Sequence, residues 1–430
     1  MHRSLGKKTL PELEKSFMTD TRFVQEKLSN DLTVVIEVMP HVKSAAGGFL
    51  ARTGARDDPS ELAGVSHFLE HMMFKGTAHR TWRQINIELD EIGSYYNAYT
   101  SKDRTFYYGW VRTGDLERQI AILADMMRST LPADEFDMEK NVILEEIAMS
   151  NDDLESNAYD FLHECVCADS SLAWPVLGYE RTIKAMTRDG MHDYFARRYS
   201  PGNLILVIAG NVDPDETLSW VNRLCGSWTP VTDIGSARRA PLVKQGKAVR
   251  RLGRFHQQVV MLAFASVPAG HPMEETAQVV AAILGGSNSR FYWNIVQKGI
   301  STRTGVFQEQ YADFSLTVMY GLCEPENCAS LHDAMRREAV ELVEKGPRPE
   351  EIQRVKNLRR TALATESEAP FYRLGQIVDD VDYRGAPRPV EERLAAVDAV
   401  SAETVAEYLR MFPITGEGFL ASVGPCDWPQ

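Results

Sequence analysis

The chain has 430 residues, 44% of them hydrophobic and 25% charged, which suits roughly two to four globular domains or subdomains. A net charge of −13 without a basic tract argues against a nucleic-acid partner. No stretch reaches about 18 consecutive apolar residues, so no membrane span is expected. The six cysteines (165, 167, 225, 323, 328 and 426) are sparse and irregularly spaced, as expected for reduced thiols in a cytoplasmic protein.

In chain order, residues 1–20 read as a polar leader arm without the apolar core of a signal peptide. Phe23 to Lys27 and Leu32 to Val38 read as strands joined at Asn30-Asp31, and Ala45 to Arg52 as a third. A helix containing Gly64-Val65-Ser66-His67-Phe68-Leu69-Glu70-His71-Met72-Met73-Phe74-Lys75-Gly76-Thr77 follows the turn at residues 54–59, and Arg83 to Ile92 forms a second helix. Ser94 to Val111 is rich in Tyr, Phe and Trp, which favours strands. Within it, Asn97-Ala98 sits either on an edge open to a peptide or inside a satisfied hairpin; composition leaves both possible.

Asp115 to Arg128 and Glu135 to about Ser150 are predicted helices, as are Asn157 to Cys167 and Asp189 to Arg198. Asn203 to Gly210 is a buried strand and Pro214 to Leu224 a helix. Residues 229–247 lack a period and mark the boundary. The expected organisation is a first half over residues 1–228, a linker over 229–250 and a second half over 251–430. The second half brings strand Gln257 to Phe264, helices from Met273 and Arg290, strand Ser315 to Tyr320, helices from Ser330 and Pro349, and strand Gly418 to Val423. This return of the first half's order suggests two homologous halves.

The chemistry concentrates in His67-x-x-Glu70-His71. On a helix these three side chains share one ~100° sector. Two imidazoles four residues apart can hold one zinc ion, and the carboxylate between them can take a proton from water. Leu62, Val65, Phe68, Leu69 and Met72 form the opposite, packing face. Ala63 and Gly64 are expected to leave room for a substrate. The helix from Glu135 offers a third ligand: Glu139, Val142, Ile143, Glu146 and Ile147 share a face, while Glu145 lies ~100° away from Glu146. Carboxylates on an apolar stripe are costly unless paired or on a metal, which singles out Glu146 or Glu139.

The run from His67 to Thr77, followed by Glu139-Lys140-Asn141-Val142-Ile143-Leu144-Glu145-Glu146, resembles the M16 metallopeptidases, the inverted zincins, in their short bacterial, processing-peptidase-like form. The resemblance implies an α+β fold of two homologous halves, each a mainly antiparallel sheet with packed helices, closing as a clamshell dimer. It implies one Zn2+ per chain on His67, His71 and Glu146, with Glu70 as general base and Glu139 orienting a ligand. It implies a zinc endopeptidase whose peptide substrate adds to a strand edge at Asn97 and Ala98; the alternative is a non-catalytic scaffold or peptide-binding subunit. Gly285-Gly286-Ser287-Asn288-Ser289-Arg290 is similar to a family segment whose Arg acts with a Tyr about a dozen residues later. Arg290 is therefore expected at the substrate, but that Tyr is missing and Tyr311 lies too far on. The loss favours a heterodimer, with the partner bringing a complete Arg/Tyr pair, over a homodimer.

Overall fold

The computed structural model describes residues 22–235 and 238–429. The expected leader arm lies outside the described residues. Among the described residues, eleven strands form two sheets. The first contains β1 (Arg22–Lys27), β2 (Thr33–Val38), β3 (Ser44–Ala51), β4 (Tyr95–Thr100), β5 (Thr105–Arg112) and β6 (Leu204–Gly210), in the order β1-β2-β6-β3-β5-β4. Only β2 and β6 run parallel. The second contains β7 (Gly246–Arg251), β8 (Gln258–Ala265), β9 (Arg303–Gln310), β10 (Ser315–Cys323) and β11 (Phe419–Gly424), in the order β7-β11-β8-β10-β9, with β7 and β11 parallel. The two orders correspond strand for strand once β1 is set aside. Each half is thus a mixed, mainly antiparallel sheet with helices, as expected.

The first half carries helices α1 (Val65–Met73), α2 (Trp82–Glu91), α3 (Leu116–Met126), α4 (Ala133–Asp152), α5 (Leu154–Val166), α6 (Glu180–Ala185), α7 (Arg188–Arg198) and α8 (Pro214–Cys225). The second carries α9 (Glu274–Gly285), α10 (Cys328–Lys345), α11 (Pro349–Glu366), α12 (Pro370–Arg384), α13 (Val390–Asp398) and α14 (Ala402–Met411). Strand side chains alternate between faces, and β6 shows why both faces are covered. Leu204, Leu206 and Ile208 join the core under α1, α3 and α4, while Ile205, Val207 and Ala209 face away. That second face is capped by Leu374, Ile377, Val378 and Val381 of α12, a helix from the other half of the chain. In return, α5 lays Ala158, Phe161, Leu162 and Val166 on the second sheet. Fully burying such large apolar side chains stabilises by about 1.5–3 kcal/mol each. The buried Arg373–Glu37 pair, 2.8 Å, ties α12 to β2.

Two sequence expectations change. The halves exchange helices, so a cut by chain position separates α5 and α12 from the sheets they cover. The linker is shorter than 229–250, because β7 starts at Gly246 and pairs with β11. Its charged residues conceal it, as expected of a half-exposed edge strand. All six cysteines are free thiols. Among the described residues no helix is long and apolar enough to cross a membrane.

Candidate metal centre

Helix α1 starts where Gly64 takes a left-handed conformation, φ 96°. A Cβ there would lie 2.6 Å from the Leu177 carbonyl oxygen, so only glycine fits. The space beside Ala63 and Gly64 is therefore filled by residues 177–178 and does not admit a substrate, contrary to expectation. Asp58 anchors the first turn. Its Oδ2 accepts from the Gly64 N–H at 2.9 Å, and its Oδ1 accepts from the hydroxyls of Ser66 at 2.6 Å and Tyr194 at 3.0 Å. Val65, Phe68, Leu69 and Met72 are buried, as their period requires. That packing turns His67 and His71 toward α4 and Glu70 toward Thr100 of β4.

Helix α4 buries Phe136, Glu139, Ile143 and Ile147. Glu146 is half-buried and faces the histidines, while Glu145 is exposed. Val142, expected on the packing face, is 40% exposed, so the stripe is narrower than the pattern implied. The donor atoms of His67, His71 and Glu146 all lie within 4.8 Å of one another. Each histidine Nε2 is 3.7 Å from Glu146 Oε2. That is too long for a hydrogen bond, so three donor atoms converge without satisfying one another. Two imidazoles and a carboxylate form a zinc-type donor set, and the residues fit that ion.

The surroundings support that use. His71 Nδ1 is 2.8 Å from Glu139 Oε1, which leaves Nε2 to face Glu146. Glu139 is also paired with Lys75, at 2.5 Å. Burial raises the Glu139 pKa, but hydrogen bonds from His71 and Lys75 outweigh it and lower the net value. Burial pushes His67 down to about 3, which keeps it neutral and free to donate a lone pair. Burial also pulls His71 down, but the Glu139 hydrogen bond and the Glu146 and Glu139 charges outweigh it and raise its pKa. Glu70 Oε2 accepts from Thr100 Oγ1 at 2.6 Å. Burial raises the Glu70 pKa, against the lowering by the Thr100 hydrogen bond and the nearby His71.

Thr100 ends β4, and β4 is the outermost strand of the first sheet. Asn97 is exposed and Ala98 nearly buried along that strand. Arg290 is not brought to this group. Its Nε and Nη2 bind the Glu351 carboxylate at 2.9 and 2.8 Å, and its side chain is 4% exposed. A guanidinium held this way joins α11 to its own half and leaves Nη1 as its one nitrogen without a partner. Tyr311 is also committed, its hydroxyl bound to Glu309 and 3.3 Å from His163 Nε2. Asp58, Lys75 and Thr100 were missed by the sequence reading. Lys75 lies just past the end of α1, four residues after His71, and Asp58 and Thr100 reach the site only through the fold.

Residues 33–180 match the insulinase family, peptidase family M16, and residues 185–359 match the peptidase M16 inactive domain. An uncharacterized zinc protease of Rickettsia felis is 32% identical over 384 residues, covering 88% of this chain and 92% of that one. The chain belongs to the M16 peptidase family. Another relative, the uncharacterized zinc protease YmxG of Bacillus subtilis, is 28% identical over 399 residues, covering 92% of this chain and 97% of its own. The M16 fold here is shared with a protease from Helicobacter pylori, at TM-score 0.86 and 17% identity over 94% of this chain and 99% of that one. It is also shared with a chain of complex III2 from Candida albicans, at TM-score 0.79 and 18% identity over 94% and 96%.

Proposed function

We propose that this M16 chain is a zinc-dependent endopeptidase acting on extended peptides or unfolded segments. The observation that carries the reading is the convergence of His67, His71 and Glu146, with Glu70 beside them and the open edge of β4 alongside. One zinc ion per chain, held by those three residues, would polarise a peptide carbonyl and lower the pKa of water at this place. Glu70 takes the proton from the attacking water and returns it to the leaving amine. Thr100 holds the Glu70 carboxylate, and Glu139 holds His71 in the orientation that presents Nε2. The β4 edge, at Asn97 and Ala98, receives the substrate backbone as an added strand. A folded protein has no free strand to offer there.

The same fold serves in complex III2 of Candida albicans, so a scaffold role is the second reading. The intact donor set in this chain favours catalysis over it. The reading extends to assembly. No Tyr follows Arg290 at about a dozen residues, and Tyr311 is bound to Glu309, so a second M16-like subunit with a complete Arg/Tyr pair would complete the site and close a chamber over it; a homodimer is the alternative. Incubating the purified, zinc-loaded chain alone with a quenched-fluorescent peptide library tests this. Cleavage supports the peptidase and makes the partner dispensable. No cleavage alone, followed by cleavage once an M16-like second subunit is added, supports the heterodimer. No cleavage in either case removes the peptidase reading.

A further inference from the structure

The tip of the β4–β5 hairpin is buried, whereas connecting turns usually lie in solvent. Lys102 is 2% and Asp103 1% exposed. The tip meets the turn at residues 311–314, between β9 and β10. The two hairpins hold equivalent places, each pairing the outermost strand of its sheet with the neighbouring one. Asp103 Oδ2 accepts from the Ala312 N–H at 3.0 Å. Arg56 Nη1 donates to Asp103 Oδ1 at 2.9 Å and to Asp313 Oδ1 at 2.7 Å, and Nη2 donates to Asp313 Oδ2 at 3.1 Å. The N–H groups of Ala55 and Arg56 donate to the Ser101 and Lys102 carbonyls, at 3.0 Å each. Arg238 adds a bond to the Asp103 carbonyl. A buried guanidinium thus joins one carboxylate from each half.

The joint lies next to the proposed chemistry. Thr100, which holds Glu70, directly precedes this turn, and β4 offers its edge just before that. The position of a carboxylate matters: a misplacement of about 1 Å can cost on the order of a hundredfold in rate. We propose that Asp313 and Asp103, joined through Arg56, are positioning residues by which the second half sets the place of Thr100, and through it of Glu70 and the β4 edge. The half without metal ligands is then a working part of the site. This rests on reading Glu70 as the base.

The test uses the full-length, zinc-loaded chain with Asp313→Asn, Thr100→Val and the double variant. Asp313 is chosen because its side chain is 31% exposed, so its loss leaves the Arg56–Asp103 pair intact. Kinetics are read on a fluorogenic peptide, and hydrogen exchange is followed over residues 95–104. Each single variant is expected to lose about tenfold in kcat at unchanged zinc content, and the double to lose about tenfold as well, since both act through one link. Asp313→Asn should speed exchange over residues 95–104, and Asp313→Glu should restore kcat. Losses that multiply to about a hundredfold, or exchange that stays at the wild-type rate, overturn the proposal. If wild type turns over no peptide even with a second M16-like subunit added, the peptidase reading fails, and the exchange measurement alone decides whether the joint holds β4.

Discussion

His71 and Glu139 meet at 2.8 Å, and this contact settles which nitrogen of His71 faces Glu146. With Nδ1 engaged by the carboxylate, Nε2 is the atom left for a metal. Partners of this kind typically set affinity by about 10–100-fold. Glu139→Gln is therefore expected to weaken zinc binding by that order without abolishing it, measured by competition with a chelator. Unchanged affinity would mean that Glu139 serves only Lys75.

The neighbouring carboxylates Glu145 and Glu146 differ in direction. Glu146 faces both histidines at 3.7 Å, and Glu145 faces solvent. Glu146→Gln should cost most of the bound zinc, and Glu145→Gln should keep it stoichiometric. Metal analysis of the two purified variants checks this, and a reversed order would place the third ligand elsewhere.

Gly64 is constrained twice, by its left-handed φ and by the Leu177 carbonyl. Gly64→Ala must shift the start of α1 or the 177–178 loop. A loss of about 2–4 kcal/mol is expected, read by urea unfolding, with weaker zinc retention because His67 lies in the first turn. A variant as stable as wild type would show that the loop yields easily.

Glu351, in the second half of the chain, gives a pH test. Burial raises its pKa, but hydrogen bonds from Arg290 and Arg348 outweigh that and bring it down to about 2. A carboxylate with a depressed folded pKa stabilises above its unfolded value and loses that contribution as pH falls toward the folded one. Wild type should therefore exceed Glu351→Gln in stability by about 2–3 kcal/mol near pH 7. The gap should narrow as pH drops from about 4.5 toward 2. Unfolding free energies across that range decide it; a constant gap would mean that the pair contributes no linkage.

Much of the centre was legible because helices write their faces into sequence. The spacing of His67, Glu70 and His71, and the phase separating Glu146 from Glu145, need only the helical period. The β4 edge was not legible: Asn97-Ala98 looks the same in an internal hairpin, and only the pairing of distant strands makes β4 outermost. Helix α12 carries the apolar spacing 374, 377, 378, 381 that marks a helix, yet nothing local says that it covers the opposite half's sheet. The surroundings of Arg290 were not legible either: its segment fits a substrate-side motif, and only the fold brings Glu351, 61 residues on, to its Nε and Nη2. Thr100 and Asp58 are single polar residues whose partners are set by tertiary approach alone.

Glu70 is proposed to move the proton at a zinc site made by His67, His71 and Glu146. Peptide cleavage by wild type and Glu70→Gln, each supplied with any required partner subunit and with zinc content measured on the same samples, tests it most directly. Equal zinc, with turnover lost by several orders of magnitude in the variant, is the expected result. Wild-type turnover in Glu70→Gln at equal zinc would contradict it.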